Sequence, residues 1–335
     1  MADFLIEASI KSLLIFALAM GGFAYATWIE RKFLARLQMR YGPNRAGKFG
    51  LLQPIADGLK LFFKEELTPA GADKVIFTLA PIVTLLPAVL VFAVIPIGGK
   101  INLFGVERNL VLAPDLNVGV LYLLAVTSIA VYGITMAGWS SNNKYALLGG
   151  LRSTAQMISY ELAMGLAILP VVLTAGTLNV QKIVDAQQSV WFIFLQPLAF
   201  ILYLITTTAE VNRAPFDLPE AEQELTAGYH TEYSGMKFAL FFAAEYIKMI
   251  GVGALGATLF LGGWRGPFVD QAPLLGPVYF LIKTVLAMVV FVWIRGTLPR
   301  LRYDRLMAFG WKLLLPLSLA NVMVTALVIA LVGGK

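Results

Sequence analysis

The sequence contains no cysteine and a single histidine, His230. The first absence excludes disulfides, zinc–thiolate sites, covalent haem attachment and any iron–sulfur cluster held by this chain. The second excludes a bis-histidine haem, and one histidine without cysteine partners makes no metal site. Charge is also scarce: 14% of the 335 residues are Asp, Glu, Lys or Arg, against roughly a quarter in an ordinary globular domain. Hydrophobic residues make up 59% and mean hydropathy is +0.77. Too little polar side chain is present to cover a soluble fold, so residues 1–335 read as one integral membrane domain. No internal repeat, low-complexity segment or flexible linker interrupts it.

Long apolar runs are abundant. Eight of them, about 10–29, 75–98, 116–138, 153–176, 190–210, 236–263, 275–294 and 313–333, come close to or exceed the ~20 residues a helix needs to cross ~30 Å of hydrocarbon. The expected fold is all-α and polytopic, with eight transmembrane helices. The first run lacks a small-residue cleavage site and reads as a retained helix. Eighteen Lys and Arg fall in the odd-numbered loops, and five in the even-numbered loops and the two ends. That asymmetry places the odd loops, including the acidic 211–236 loop, in the cytoplasm and both termini in the periplasm. The net charge of +6 is therefore a topology determinant, and no nucleic-acid role is expected.

Two segments outside the runs are expected to be interfacial helices on the cytoplasmic side, in contact with membrane lipid. In 49–65, Leu52, Ile55, Leu59, Phe62 and Phe63 recur at three- and four-residue steps, which makes an apolar stripe. In 298–312, Arg300, Arg302, Arg305 and Lys312 alternate with apolar residues, as over anionic headgroups. Pro81, Pro87, Pro170 and Pro197 lie inside runs, and Gly251, Gly253 and Gly256 cluster in the sixth. They predict kinks and either close packing or local unwinding.

An ionisable side chain in hydrocarbon costs at least ~2.5 kcal/mol, so each one needs a partner, water or a role. Glu161, Glu245, Lys248 and Lys283 lie within runs and Glu210 ends the fifth. Glu245 and Lys248, three residues apart, share a helix face and are able to pair, so a purely structural ion pair stays open for them. The densest signal is the loop that follows. Glu210, Asp217, Glu220, Glu222, Glu224 and Glu232 stand against Arg213 alone, interleaved with Pro215, Phe216, Pro219, Tyr229 and Tyr233. Crowded carboxylates titrate as a coupled set and can hold protons; a plain solvated acidic loop is the alternative. A third constellation runs from Glu30-Arg31-Lys32 to Arg40-Tyr41-Gly42-Pro43-Asn44-Arg45. Cations at a span end are usually snorkelling anchors, but this turn is more specific than an anchor requires.

Those motifs, with Gly-Trp-Ser-Ser-Asn-Asn-Lys-Tyr-Ala-Leu-Leu-Gly at 138–149, Ser-Tyr-Glu at 159–161 and the 209–242 stretch, resemble the H-subunit family of bacterial NADH–quinone oxidoreductases. That family is the quinone-binding membrane component of respiratory complex I. The resemblance covers essentially the whole chain. It implies a non-redox subunit of the bacterial inner membrane with no catalytic centre, metal or covalent cofactor of its own. Quinone, ubiquinone rather than menaquinone, would be the substrate. The partners would be the quinone-module subunits of the hydrophilic arm and the small neighbouring membrane subunits. By the same resemblance, Glu30, Arg31, Arg40, Arg45, Phe62, Phe63, Arg213, Phe216, Asp217, Tyr229 and Tyr233 would line a quinone tunnel. Glu161, Glu210, Glu220, Glu222, Glu224, Glu232, Glu245 and Lys248 would couple quinone reduction to proton translocation. One departure is that 116–138 carries no carboxylate beyond Asp115 at its edge, so no proton path is assigned to that helix. The rival readings are the membrane subunit of a hydrogenase-type complex and a lone ion transporter; the intact acidic loop argues against the first and the lack of repeats against the second.

Overall fold

The computed structural model describes residues 2–103, 106–113, 116–218, 226–269 and 271–332. Asp115, Glu220, Glu222 and Glu224 lie outside the described residues. Among the described residues the fold is helical apart from one hairpin: α1 (Ala2–Leu37), α2 (Gln53–Phe62), α3 (Lys74–Leu90), strands β1 (Lys100–Leu103) and β2 (Val106–Asn109), α4 (Gly119–Ser140), α5 (Lys144–Ala175), α6 (Val180–Ala186), α7 (Phe192–Leu195), α8 (Pro197–Glu210), α9 (Gly235–Phe260), α10 (Leu275–Thr297), α11 (Tyr303–Phe309) and α12 (Leu315–Val332). The two strands pair antiparallel, with Lys100 opposite Asn109.

Among the described residues, seven helices are long and apolar enough to cross a membrane. The fifth predicted run is different. It resolves into α7 and the 14-residue α8, which at 1.5 Å per residue is about 21 Å long and short of the hydrocarbon thickness. The break has a local cause. Pro197 supplies no N–H and drives the preceding residue out of the helical region, and Gln196 accordingly sits at φ −131°, ψ 56°. Its side chain then makes up for the interruption. Nε2 donates to Thr174 on α5 (3.3 Å), and Oε1 accepts from Thr325 on α12 (3.4 Å).

Capping follows the sequence closely. Asp73 accepts from the backbone N–H of Val75 and Ile76 at the start of α3, and Asn143 accepts from Tyr145 at the start of α5, each satisfying N–H groups that the helix itself leaves open. Close crossings depend on glycine. A Cβ on Gly133 of α4 would run into the Thr84 hydroxyl of α3, and one on Gly149 of α5 would stand 2.6 Å from the Gly228 Cα. The second contact seats the 226–234 loop against α5.

The glycines of the sixth run lie in one unbroken helix, α9, so they serve packing and not unwinding. Gly256 admits the Tyr203 ring, whose hydroxyl donates to the Val252 carbonyl at 2.7 Å. Nor is 298–312 a separate helix. Residues 298–302 are non-helical, and α11 runs through one π turn, Gly310–Leu314, into α12. Tyr160 of α5 fixes this joint by donating from its hydroxyl to the Leu306 carbonyl (3.0 Å).

α5 is 32 residues long, about 48 Å, so Asn142 before it and Gln188 beyond it lie near opposite faces of the bundle. Both are exposed. With no native cysteine in the background, Asn142→Cys should react with an impermeant maleimide only from the cytoplasmic side and Gln188→Cys only from the periplasmic side. The reverse pattern would invert the charge-derived topology.

Candidate functional site

The site is built from charges that hydrocarbon cannot solvate. Glu30, near the C-terminal end of α1, is 4% exposed and Arg213, just beyond α8, is 3% exposed. Arg213 reaches in two directions. Nε lies 2.6 Å from Glu245 Oε1 on α9 and Nη1 lies 3.6 Å from Glu30 Oε1, while the guanidinium stacks 4.3 Å from the Tyr246 ring centre. Glu30 also accepts from Arg295 of α10. One helical turn along α9 from Glu245, Lys248 pairs with Glu210 at the end of α8 (3.1 Å). Glu161 on α5 is half-buried and in electrostatic reach of both Glu210 and Lys248. Charges of alternating sign therefore run Arg295, Glu30, Arg213, Glu245, and then Lys248, Glu210, with Glu161 a second acid near Glu210. They link α10, α1, the post-α8 loop, α9, α8 and α5.

Glu245 and Lys248 are neighbours on one face as expected, but each finds its ion-pair partner on another element. The reason is that α9 is flanked by oppositely charged groups on both sides: Arg213 lies next to Glu245 and Glu210 next to Lys248.

The loop carrying Arg213 is anchored by Gln156 of α5, which is fully buried. Its Nε2 donates to the carbonyls of Ala209 and Phe216, both at 2.7 Å, and to Asn212 Oδ1 at 3.2 Å. Sequence reasoning missed this residue; a lone uncharged glutamine inside an apolar run was its only signal. It also missed Arg295, which counted only as a loop cation, and Asp57, which accepts from Arg31 at 2.6 Å and from Gln53 at 3.0 Å and so docks the polar face of α2 on α1.

The remaining predicted residues disperse. Phe62 and Phe63 are 65% and 80% exposed, because α2 turns its polar face inward and its apolar stripe outward. Arg40 and Arg45 are exposed, with Arg40 donating to Gln38 (2.7 Å). Phe216 is buried between Tyr160 and Phe309. Tyr233 stacks on Phe77, with ring centres 4.0 Å apart. Glu232 accepts from Asn143 (2.7 Å) and sits in a polar surface groove with Lys144, apart from the ion-pair chain. Asp217 is half-buried directly after Phe216. Lys283 has a structural task. It donates to the carbonyls of Leu261, Gly263 and Arg265, closing the C-terminal end of α9 with a cation where the helix dipole favours one.

Two of the cavities near the chain of charges bear on the site. One, of about 30 Å³, is lined by Asn212, Tyr229, His230, Glu245 and Lys248 together with apolar residues. His230 is buried, and desolvation lowers its pKa to about 3, so the imidazole is neutral. The other, of about 260 Å³, is an apolar groove between α1, α9 and α10. It extends from Ile15 to Ile29 on α1, about 21 Å along the helix, and ends one residue short of Glu30. Exposed Leu18 and Leu281 flank it, so it opens sideways. Among the described residues, no group of three or more His, Cys, Asp or Glu could hold a metal.

A family profile described as NADH dehydrogenase matches residues 10–326. This chain belongs to the H-subunit family of NADH-quinone oxidoreductases. It is 58% identical over 302 residues to the second NADH-quinone oxidoreductase H-subunit of Syntrophobacter fumaroxidans, covering 90% of this chain and 89% of that one. It is 55% identical over 321 residues, 96% of both chains, to the first H-subunit of Geobacter metallireducens. The H-subunit of Protochlamydia amoebophila is 54% identical over 303 residues, 90% of this chain and 91% of the relative.

Arg213→Ala should destabilise the folded chain by ~3–5 kcal/mol, because it takes the arginine from Glu245 and leaves Glu30 with Arg295 alone. Denaturant unfolding in detergent measures the loss; a loss under ~1 kcal/mol would mean that water already neutralises both carboxylates.

Proposed function

We propose that this chain is a membrane subunit of a proton-translocating NADH:quinone oxidoreductase, that it admits the quinone from the lipid, and that it couples quinone reduction to proton movement. The observation that carries the reading is the apolar groove ending beside Glu30. A quinone is a long apolar tail with a small polar head, so its site needs an apolar corridor that opens to lipid and ends in a few polar groups. The groove between α1, α9 and α10 fits the tail. Glu30 follows Ile29, the last groove residue of α1, and pairs with Arg213 and Arg295, so this reading assigns the quinone head to that end.

With no cysteine in this chain to hold an iron–sulfur cluster, electrons arrive from a neighbouring subunit of the complex. What this chain contributes is electrostatic. Reduction makes the quinone anionic or takes protons from nearby donors. At an effective dielectric of 20, a unit charge 4 Å away is worth about 4 kcal/mol. A negative charge gained beside Glu30 therefore draws Arg213 toward that end and loosens its hold on Glu245. Lys248, Glu210 and Glu161 respond in turn, with proton uptake or release at the far end. Asp217, Glu220, Glu222 and Glu224 belong to the acidic loop that this reading assigns to the quinone cavity. The relatives' names, all H-subunits of NADH-quinone oxidoreductase, favour this reading over a hydrogenase-type complex.

Narrowing the groove tests it. Ala26→Trp and Gly22→Trp should raise the apparent KM for a long-chain quinone several-fold, with much less effect on a short-chain analogue, while NADH oxidation by an artificial acceptor stays intact. Unchanged long-chain kinetics in both variants would remove the groove from the quinone path.

A further inference from the structure

His230 is a titratable side chain beside the ion-pair chain that the proposed coupling does not use. Its imidazole is boxed by aromatic rings: Tyr229 at 3.8 Å between centres, and Phe238 and Phe241 each at 5.5 Å. The backbone beneath it is fixed as well, with its N–H bonded to the Ala227 carbonyl (3.1 Å) and Gly228 seated on Gly149. Despite this confinement, His230 Nε2 is buried and has no hydrogen-bond partner among the described residues. Leaving such a group unpaired costs about 1–3 kcal/mol, so native folds give buried polar atoms a partner, ordered water included.

His230 borders the cavity of about 30 Å³ that it shares with Thr84, Asn212, Glu245 and Lys248. A water needs about 10–15 Å³ of such space and two to four polar partners, and both conditions are met here. An apolar lining would favour a dry void; this lining carries an amide, a hydroxyl, a carboxylate and an ammonium group.

We propose that this cavity is a built site for ordered water, and that His230 is the positioning residue that fixes this water against the Glu245–Lys248 stretch of α9. The water joins the 226–234 loop to the charges of α9 that line the same cavity. A neutral imidazole serves this role better than a charged one. Its Nε2 can accept from or donate to water without adding a cation beside Lys248 and Arg213, while Glu245, Glu210 and Glu161 supply the negative charges facing them.

Water density does not depend on the coupling reading; the activity arm of the test rests on it. Cryo-EM of the assembled complex at a resolution that shows waters should place density about 2.7–3.2 Å from His230 Nε2 and within hydrogen-bond distance of Asn212, Glu245 or Lys248. In His230→Phe that density should vanish. In His230→Gln, whose amide reaches about as far as Nε2, it should persist. Native gels establish assembly of both variants. Quinone reductase turnover should fall several-fold in His230→Phe and recover in His230→Gln, with NADH oxidation by an artificial acceptor equal in all three. A dry wild-type cavity, or density unchanged in His230→Phe, overturns the water site. Density lost while turnover stays at the wild-type level overturns the positioning role.

Discussion

Everything around the site depends on a buried arginine having carboxylates on both sides. Arg213 is buried within the bundle, where an isolated guanidinium is untenable, and it is tolerated only because Glu30 and Glu245 reach it from α1 and α9. That requirement fixes the relative placement of two long helices and the loop between them more firmly than apolar packing could, since lipid tails compete equally for apolar contacts. Gln156 holds the loop from the other side by tying down the Ala209 and Phe216 carbonyls. The arginine is aimed by backbone that is itself tied down.

The same arithmetic makes the arrangement responsive. Buried ion pairs contribute little net stability, because desolvation offsets most of their attraction, but removing or adding one charge disturbs all the others. A chain of charges held this way is poorly suited to stabilising a bundle, and the proposed coupling uses its sensitivity to a change at one end. Lys283 shows the contrast. It is also a buried cation, but three backbone carbonyls hold it in a fixed C-terminal cap, and carbonyl dipoles do not titrate.

Much of this was legible in the sequence. Apolar runs pointed to a polytopic helical fold, the absence of cysteine excluded a thiolate-held cluster, and the cost of charge in hydrocarbon singled out Glu161, Glu210, Glu245 and Lys248. What was not legible was pairing across elements. Spacing on one helix suggests Glu245 with Lys248, whereas partners from the neighbouring elements decide the matter. Phe62 and Phe63 show the same limit: periodicity finds an apolar stripe but not which way it turns, and here Asp57 draws the opposite face of α2 onto Arg31. The fifth run looked continuous because hydropathy ignores the backbone; Pro197 breaks it all the same. Gln156 escaped notice because a neutral amide carries no charge signal, although a buried amide left unpaired still costs several kcal/mol, roughly 2–7 depending on the reference.

The proposed coupling requires Glu210 and Glu161 to respond as a unit to quinone reduction. The most direct test is the proton-to-electron ratio and turnover of assembled complexes carrying Glu210→Gln or Glu161→Gln, reconstituted into vesicles. If the claim holds, quinone reduction and proton pumping fall together in both variants while native gels show normal assembly. Wild-type turnover with a wild-type proton-to-electron ratio in both would contradict it and reduce these carboxylates to structural ion-pair partners.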